Sequence, residues 1–462
     1  MQSGSDLPIS TLQRAGLSPE ELDEWSRSAP ARLDSLEAAG DALSGFLVRG
    51  TALVSRLPPA PRRSESEPEA ARALSQALTD ARIAFLDGHA GELYDKLTNR
   101  CAQPIRLEAL VYEAAGLVPG LVPTRAEMES ERARPLAEKA GLELAQGLLL
   151  EHILALPRAG RHLIESMLAP TPEALERLAE FQSRGVVDFG HARVTRQGRA
   201  AVLELRNQRH LNAEDGATLG PTESAVDLIL LDPDSEIGVF RGAVVDHPRY
   251  AGERIFGAGI NLTQLYQGKI DFLFYLVRDL GYVNKLYRGL ITQVEPARSV
   301  EKLWVAAVER YAIGGACQLL HVVDHVIAIR GSRLYLPARK EGIIPGASNL
   351  RLPRSVGDRA ARQAIMSGRE WSAGDADADL LVDEVVEAGE MDDAIDNRVA
   401  ALTGSGLVNA TGNRRVLRIG QEPIDLFREY MSAYAREQAY CHLSPALVSN
   451  LEQHWNAAAR SS

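Results

Sequence analysis

The sequence predicts an α/β protein with a layered, largely parallel sheet, set behind an all-helical N-terminal domain. Three observations predict it. Residues 1–185 carry leucine-rich runs at helical spacing with capping signals between them. Residues 186–390 alternate strand-like and helix-like stretches, and residues 391–462 return to helical spacing. At 462 residues the chain is long for one core, which favours a helical domain (1–185), an α/β core (186–390) and a C-terminal helical region (391–462).

The helical half marks its own starts. Ser18-Pro19-Glu20-Glu21 sets a capping serine before a first-turn proline and acidic residues, and Thr124-Arg125-Ala126-Glu127 and Thr171-Pro172-Glu173 repeat the pattern. Leu74, Leu78 and Phe85, then Leu142, Leu149 and Ile153, recur at helical spacing. The stretch LPPAPRRSESEP at 57–68 reads as an exposed loop. No catalytic constellation falls in this half, which reads as a packing or assembly domain.

Near Gly185 the character changes. Residues 186–189 and 191–195 look extended, 201–205 and 237–240 read as strands, 225–231 as a helix and 262–287 as one long helix. Leu303, Trp304, Val305, Ala306, Ala307 and Val308 form an apolar run expected to be a buried strand. Gly314 and Gly315 follow, and then Cys317, Leu319, Leu320 and Val323 resume at helical spacing. A strand, a glycine turn and a helix start leave backbone N–H groups unpaired, able to hold a phosphate, a carboxylate or a developing oxyanion. Beyond this, 326–329 reads as a strand and 335–354 as a loop carrying Pro337, Gly342, Pro345 and Gly346. From about Val356 the chain reads as helical, interrupted around 404–412.

Composition excludes some function classes. Hydrophobic residues make up 45% and charged residues 24%, the balance of a globular protein. A net charge of −11 offers no basic surplus for a nucleic-acid scaffold, so no nucleic-acid partner is expected. Cys101, Cys317 and Cys441 are too few and too scattered for a disulfide framework or a zinc site, which fits a reducing cytosol. The start MQSGSDLPISTLQ lacks the basic and apolar regions of a leader, and no stretch approaches the roughly 20 apolar residues of a membrane span. A soluble, cytoplasmic protein without a membrane partner is expected.

Taken together, these pieces resemble the crotonase (enoyl-CoA hydratase/isomerase) superfamily over about residues 194–386. The resemblance rests on Leu211-Asn212-Ala213, Asp232-Pro233, Phe256-Gly257-Ala258-Gly259-Ile260-Asn261-Leu262 and Gly314-Gly315-Ala316-Cys317-Gln318. Ile344-Pro345-Gly346-Ala347, Ser367-Gly368 and Ser372-Ala373 continue it in the family's order. It implies a crotonase-like β-β-α spiral core, a homo-oligomer (trimer or hexamer), an acyl-coenzyme A substrate and an oxyanion hole. By position the hole belongs to the backbone N–H groups of Ile260 and Gly315. The residues agree, since each follows a glycine turn at an expected helix start.

Two departures are informative. The resemblance places a hydratase's two acid/base glutamates at the positions of Gln318 and Ala338, neither of which exchanges a proton near neutral pH. Glu341 stands three residues past Ala338, but the spacing to Ile344-Pro345 argues against equating it with the missing carboxylate. Loss of the acid/base pair beside an intact hole, with a long helical domain in front, is similar to one branch of the superfamily. That branch consists of cofactor- and metal-independent oxygenases acting on arylacetyl-CoA thioesters. The similarity implies no cofactor and no metal, with coenzyme A as part of the substrate and O2 as co-substrate. An aliphatic pocket beside the reacting carbon is then expected, to exclude water and admit oxygen.

It further implies that Gln318 hydrogen-bonds a ring hydroxyl or a peroxide, and that Glu214 and Arg278 contact a resorcinol-like ring. Glu214 is also the candidate base. Both have plainer readings, Arg278 with Asp279 as a solvated helix face and Glu214 as a loop carboxylate. A crotonase-fold thioesterase or isomerase using Glu214 or Glu341 is the alternative enzyme, and a non-catalytic acyl-CoA-binding or assembly subunit the alternative class. His321, Asp324 and His325 suggest a metal by spacing. Yet Asp324 falls where crotonases carry an aspartate with no metal role, and His325 belongs to the next strand, so no metal is expected. Arg206 and Arg209 are candidates for the coenzyme A phosphates, and Cys317 reads as a small buried residue.

Overall fold

The structure is a computed structural model that describes residues 9–31, 33–58, 62–63, 65–292, 299–404 and 406–460. Residues 1–8 of the N-terminal stretch read above, and 59–61 and 64 of the proline-rich loop, lie outside the described residues. The N-terminal half folds as α1 (Ile9–Arg14), α2 (Pro19–Arg27), α3 (Leu36–Arg56), α4 (Glu67–Leu97), α5 (Leu107–Leu117), α6 (Arg125–Arg132), α7 (Glu143–Ala155), α8 (Pro157–Met167) and α9 (Pro172–Arg184). Thr124 and its Glu127 form a reciprocal capping box, and Thr171 Oγ1 accepts from the Ala174 N–H. Ser18 takes the cap position of α2 but its side chain makes no capping bond.

The sheet follows in the order β1 (Val186–Asp188), β2 (Ala192–Gln197), β3 (Ala200–Leu205), then α10 (Gly216–Leu231) and β4 (Ile237–Gly242). The region expected as one long helix is instead three, α11 (Leu262–Tyr266), α12 (Leu273–Leu280) and α13 (Tyr282–Arg288). Gly281 makes the second break with ψ −117°, and a Cβ there would come within 2.4 Å of the Val277 carbonyl. Continuous apolar spacing hid these breaks.

Next come β5 (Leu303–Val308), β6 (Tyr311–Ile313), α14 (Gly315–Leu319), β7 (His325–Ile329) and β8 (Arg333–Tyr335). The expected loop 335–354 in fact holds α15 (Ala338–Glu341) and the start of α16 (Ser348–Arg362), which kinks at Gly357. The expected helical stretch after Val356 is broken by β9 (Glu370–Ser372) and β10 (Glu384–Val386), each only three residues and too short to show a period of two. Helices α17 (Met391–Thr403), α18 (Leu407–Gln421), α19 (Ile424–His442), α20 (Pro445–Trp455) and α21 (Ala457–Arg460) complete the chain. The interruption expected around 404–412 falls between α17 and α18 but is shorter than expected, since Gly412 lies inside α18.

Among the described residues seven strands form one sheet in the order β1-β2-β3-β4-β5-β7-β10, parallel from β3 onward, and β6-β8-β9 form a second, smaller sheet. Every residue of the central β5 is buried, as its unbroken apolar run requires with both faces covered. One apolar core lies between this sheet and α10, α13 and α14, and another between its far face and α17. A third joins the N-terminal helices to α12, α19 and α20 through Leu149, Ile153, Phe272, Leu276, Phe427 and Leu447. The helical half therefore packs directly on the helix that carries Arg278, and its apolar contacts hold one wall of the site.

Candidate active site

Two glycine turns meet beyond the ends of β4 and β5. The loop leading out of β4 runs along β6, where the Gly257 N–H donates to Tyr311 O (3.0 Å) and the Ile313 N–H donates back to Gly257 O (3.1 Å). This zipper lays Gly259 against Gly314-Gly315, so closely that a Cβ on Gly259 would lie 3.4 Å from the Gly315 nitrogen. Gly259 (φ 84°) and Gly314 (φ 53°) both occupy the left-handed region, which explains the residue type at each turn. Among the described residues neither the Ile260 nor the Gly315 N–H has a backbone or side-chain acceptor. Two unpaired donors from facing turns are what an oxyanion needs.

A third loop closes the site from below. Leu211 (φ 55°) and Asn212 (φ 54°) turn the chain after β3. The Asn212 side-chain amide donates to Ala243 O and Ile255 O, both at 2.8 Å, which ties this turn to both ends of the β4 loop. Glu214 then runs beside Ile260, its N–H donating to Gly259 O and its carbonyl accepting from the Asn261 N–H, each 2.7 Å. Its carboxylate points at the glycine turn. A Cβ on Gly315 would sit 2.2 Å from Glu214 Oε2 and 3.2 Å from Arg278 Nη2, so only glycine fits there.

Arg278, on α12, is the hub. Its Nε donates to Glu214 Oε1 (2.8 Å), Nη1 to Asp279 Oδ1 (3.0 Å) and to Gln318 Oε1 (2.9 Å), and Nη2 to Gly315 O (2.8 Å). The residue is 4% exposed, so the plainer reading of a solvated helix face fails. Burial acts to lower its pKa, but the Glu214 charge, Tyr282 and Asp279 outweigh this and hold it well above the ordinary value. The Tyr282 hydroxyl also donates to Glu214 Oε1, and burial keeps that phenol protonated. Glu214 is thus a buried, doubly held carboxylate and no loose loop residue. Burial pushes the Asp279 carboxyl up against the pull of Arg278 and Arg351, and its Oδ2 has no hydrogen-bond partner.

Glu214, Ile260, Arg278, Gly315 and Gln318 all line one pocket. Pro337, Ala338, Ile343, Ile344 and Pro345 give it an aliphatic wall, and Phe274, Tyr275 and Tyr434 an aromatic one. Sequence reasoning missed Tyr282 as a partner of Glu214, because it stands just past the Gly281 break that separates α13 from α12, where no helical spacing marks it. It also missed Tyr434, which α19 brings in from a segment whose sequence carries no motif. It kept Glu341 only for the alternative enzyme, although this residue lines the pocket with its carboxyl buried.

The remaining candidates lie elsewhere. Arg206 pairs with Asp188 at 2.6 Å, and Arg209 is exposed on a short turn after β3. Asp324 accepts from the Trp304 N–H (2.8 Å) and pairs with Arg414 Nε (2.9 Å), while His325 opens β7 near Asp383 and Glu384. Among the described residues no three His, Cys, Asp or Glu side chains are arranged to hold a metal ion. Burial pushes the Cys317 thiol up to about 12, which makes it a poor nucleophile. Among the described residues no helix is long and apolar enough to cross a membrane.

The site can be set beside known proteins. A profile described as "Enoyl-CoA hydratase/isomerase" matches residues 249–409. The chain is 46% identical over 400 residues to a (3,5-dihydroxyphenyl)acetyl-CoA 1,2-dioxygenase from Amycolatopsis orientalis, covering 86% of this chain and 92% of that protein. It is 30% identical over 194 residues to a probable enoyl-CoA hydratase from Rhizobium meliloti, covering 42% of this chain and 67% of that one. An enoyl-CoA hydratase/isomerase structure from Xanthobacter autotrophicus Py2 superposes with a TM-score of 0.48 at 22% identity, over 60% of this chain and 98% of that one. The extent of the first match across both the helical half and the α/β core fixes the assignment: the chain belongs to the crotonase, or enoyl-CoA hydratase/isomerase, superfamily.

Proposed function

We propose that this protein is a dioxygenase that converts (3,5-dihydroxyphenyl)acetyl-CoA and O2 to 3,5-dihydroxyphenylglyoxylate and coenzyme A, without a metal or organic cofactor. The observation that carries the reading is the relation to the Amycolatopsis dioxygenase through nearly the whole chain. The pocket supports it: the Ile260 and Gly315 amides, without an acceptor among the described residues, belong to residues that line it, together with Gln318 and Ala338, which stand where the family resemblance puts a hydratase's acid/base glutamates.

Loss of a Cα proton gives an enolate delocalised over thioester and ring, with its oxygen on the Ile260 and Gly315 amides. Each such donor contributes roughly a few kcal/mol. The electron-rich enolate passes one electron to O2, and the resulting superoxide and substrate radical combine as a peroxide on Cα. The peroxide attacks the thioester carbonyl and the coenzyme A thiolate leaves. Loss of the second Cα proton with O–O cleavage then makes the 2-oxo acid. Both atoms of O2 enter the product, and no external reductant is consumed. Arg278, Glu214 and Gln318 hold the ring and its hydroxyls, and the aliphatic wall keeps water from the peroxide. Assembly as a trimer or hexamer is part of the same reading, checked by light scattering.

Labelling tests it. With 18O2 both oxygens must appear in the glyoxylate; a product carrying label from H2 18O alone would identify a thioesterase.

A further inference from the structure

Proton removal needs a base, and the pocket offers three carboxyl groups. Glu214 is bound by Arg278 and Tyr282, and Asp279 by Arg278. Glu341 is different. It is 8% exposed, it lines the pocket, and among the described residues its carboxyl has no hydrogen-bond or ion-pair partner. It stands one helical turn beyond Ala338 on α15, so it enters the pocket from the same side. Its Oε1 lies 4.0 Å from the point a Cβ on Gly314 would occupy, beside the Gly315 amide.

The phenols that feel its charge are neutral at pH 7, and the charged groups nearby are paired or exposed. Tyr275 on α12 and Tyr335 on β8 feel its charge, and both phenols are pushed up by burial. Arg278 and Asp279, which also line the pocket, are bonded to each other, and Arg339 and Lys340 on its own helix are exposed. Burial alone pushes the Glu341 carboxyl up to about 7, where a general base works best.

We propose that Glu341 is the base that removes the Cα proton of the bound arylacetyl thioester. The assignment rests on the dioxygenase reading above. The C–H pair becomes the enolate double bond, the carbonyl π pair moves to the oxygen held by Ile260 and Gly315, and the proton goes to a Glu341 oxygen. The resulting neutral acid does not repel the enolate, and it returns the proton to the coenzyme A thiolate as that group leaves. The family's second carboxylate is thus replaced by one a helical turn along.

The test is deuterium wash-in at Cα of (3,5-dihydroxyphenyl)acetyl-CoA in D2O without oxygen, with binding followed by calorimetry. Wild type exchanges, with a rate that rises with pH through about 7. Glu341→Gln lowers exchange by about 100-fold or more with binding within a few-fold, and Glu341→Asp restores part of it. Exchange by Glu341→Gln at the wild-type rate overturns the assignment. If that variant does not fold, a wild-type exchange rate flat between pH 5.5 and 8.5 overturns it equally. Exchange that depends on Glu341 in a wild-type protein that consumes no O2 in air keeps the base and removes the dioxygenase reading.

Discussion

Gly315→Ala tests the proposed oxyanion hole at its most constrained point. The added methyl would lie 2.2 Å from Glu214 Oε2, more than 1 Å inside the contact distance of about 3.5 Å. The carboxylate cannot swing away cheaply, because Arg278 Nε at 2.8 Å and the Tyr282 hydroxyl both hold its other oxygen. Relief must come from a shift of the Gly314-Gly315 turn, which moves the Gly315 amide away from the place proposed for the enolate oxygen. Losing one such donor costs about 3–4 kcal/mol, or 10²–10³ in kcat. Overpacking a tight site costs a further 1–3 kcal/mol of stability. The assay is initial-rate oxygen uptake with the arylacetyl thioester, alongside a denaturant midpoint. A folded Gly315→Ala protein with kcat within about threefold of wild type would refute the placement of the hole.

Other perturbations probe the surroundings. Gln318→Glu puts a carboxylate beside the enolate and near Asp279, since Gln318 Oε1 and Asp279 Oδ2 both lie 2.5 Å from where a Cβ on Gly346 would sit. A charge about 5 Å from the proposed enolate costs about 3 kcal/mol at an effective dielectric near 20, partly offset by Arg278 Nη1 at 2.9 Å from Gln318 Oε1, so oxygen uptake should fall about 10- to 100-fold; unchanged kinetics would remove Gln318 from the site. Glu422 is buried among Arg288, Arg351 and Arg354 at 2.9–3.0 Å, and Glu422→Gln should cost about 3–5 kcal/mol in urea unfolding. Burial raises the Glu422 pKa, but the arginines outweigh it and depress it from 4.5 to about 2. Its contribution is therefore full above pH 4.5 and fades as pH falls through about 2, where wild type and variant should converge. Gly45, inside α3 with open space around it, should gain about 0.5–1 kcal/mol as alanine without change in kcat.

The parts of the site legible in the sequence are those fixed by backbone shape. Gly259, Gly314 and Gly315 announce turns because no other residue fits them, and Gln318 follows from its place in the same motif. Glu214 and Arg278 were legible only by resemblance, and their burial could not be read because the partners that make it tolerable come from three separate segments. Glu341 looked misplaced by linear spacing, and only α15, hidden in a proline- and glycine-rich stretch, turns it into the pocket. The strand–turn–helix around β5 was plain, whereas three-residue strands and the breaks between α11, α12 and α13 leave no periodic trace. The helical half reads as packing from its sequence, but that it packs against the helix of Arg278 emerges only in three dimensions.

The central claim is that this chain oxygenates its thioester substrate with its own residues alone. The direct measurement is oxygen uptake by chelator-treated protein given (3,5-dihydroxyphenyl)acetyl-CoA, with free thiol followed in the same vessel. The account predicts one O2 consumed for each coenzyme A released, at a rate the chelator does not change. Thiol release without oxygen uptake, or uptake that returns only when metal is restored, would contradict it.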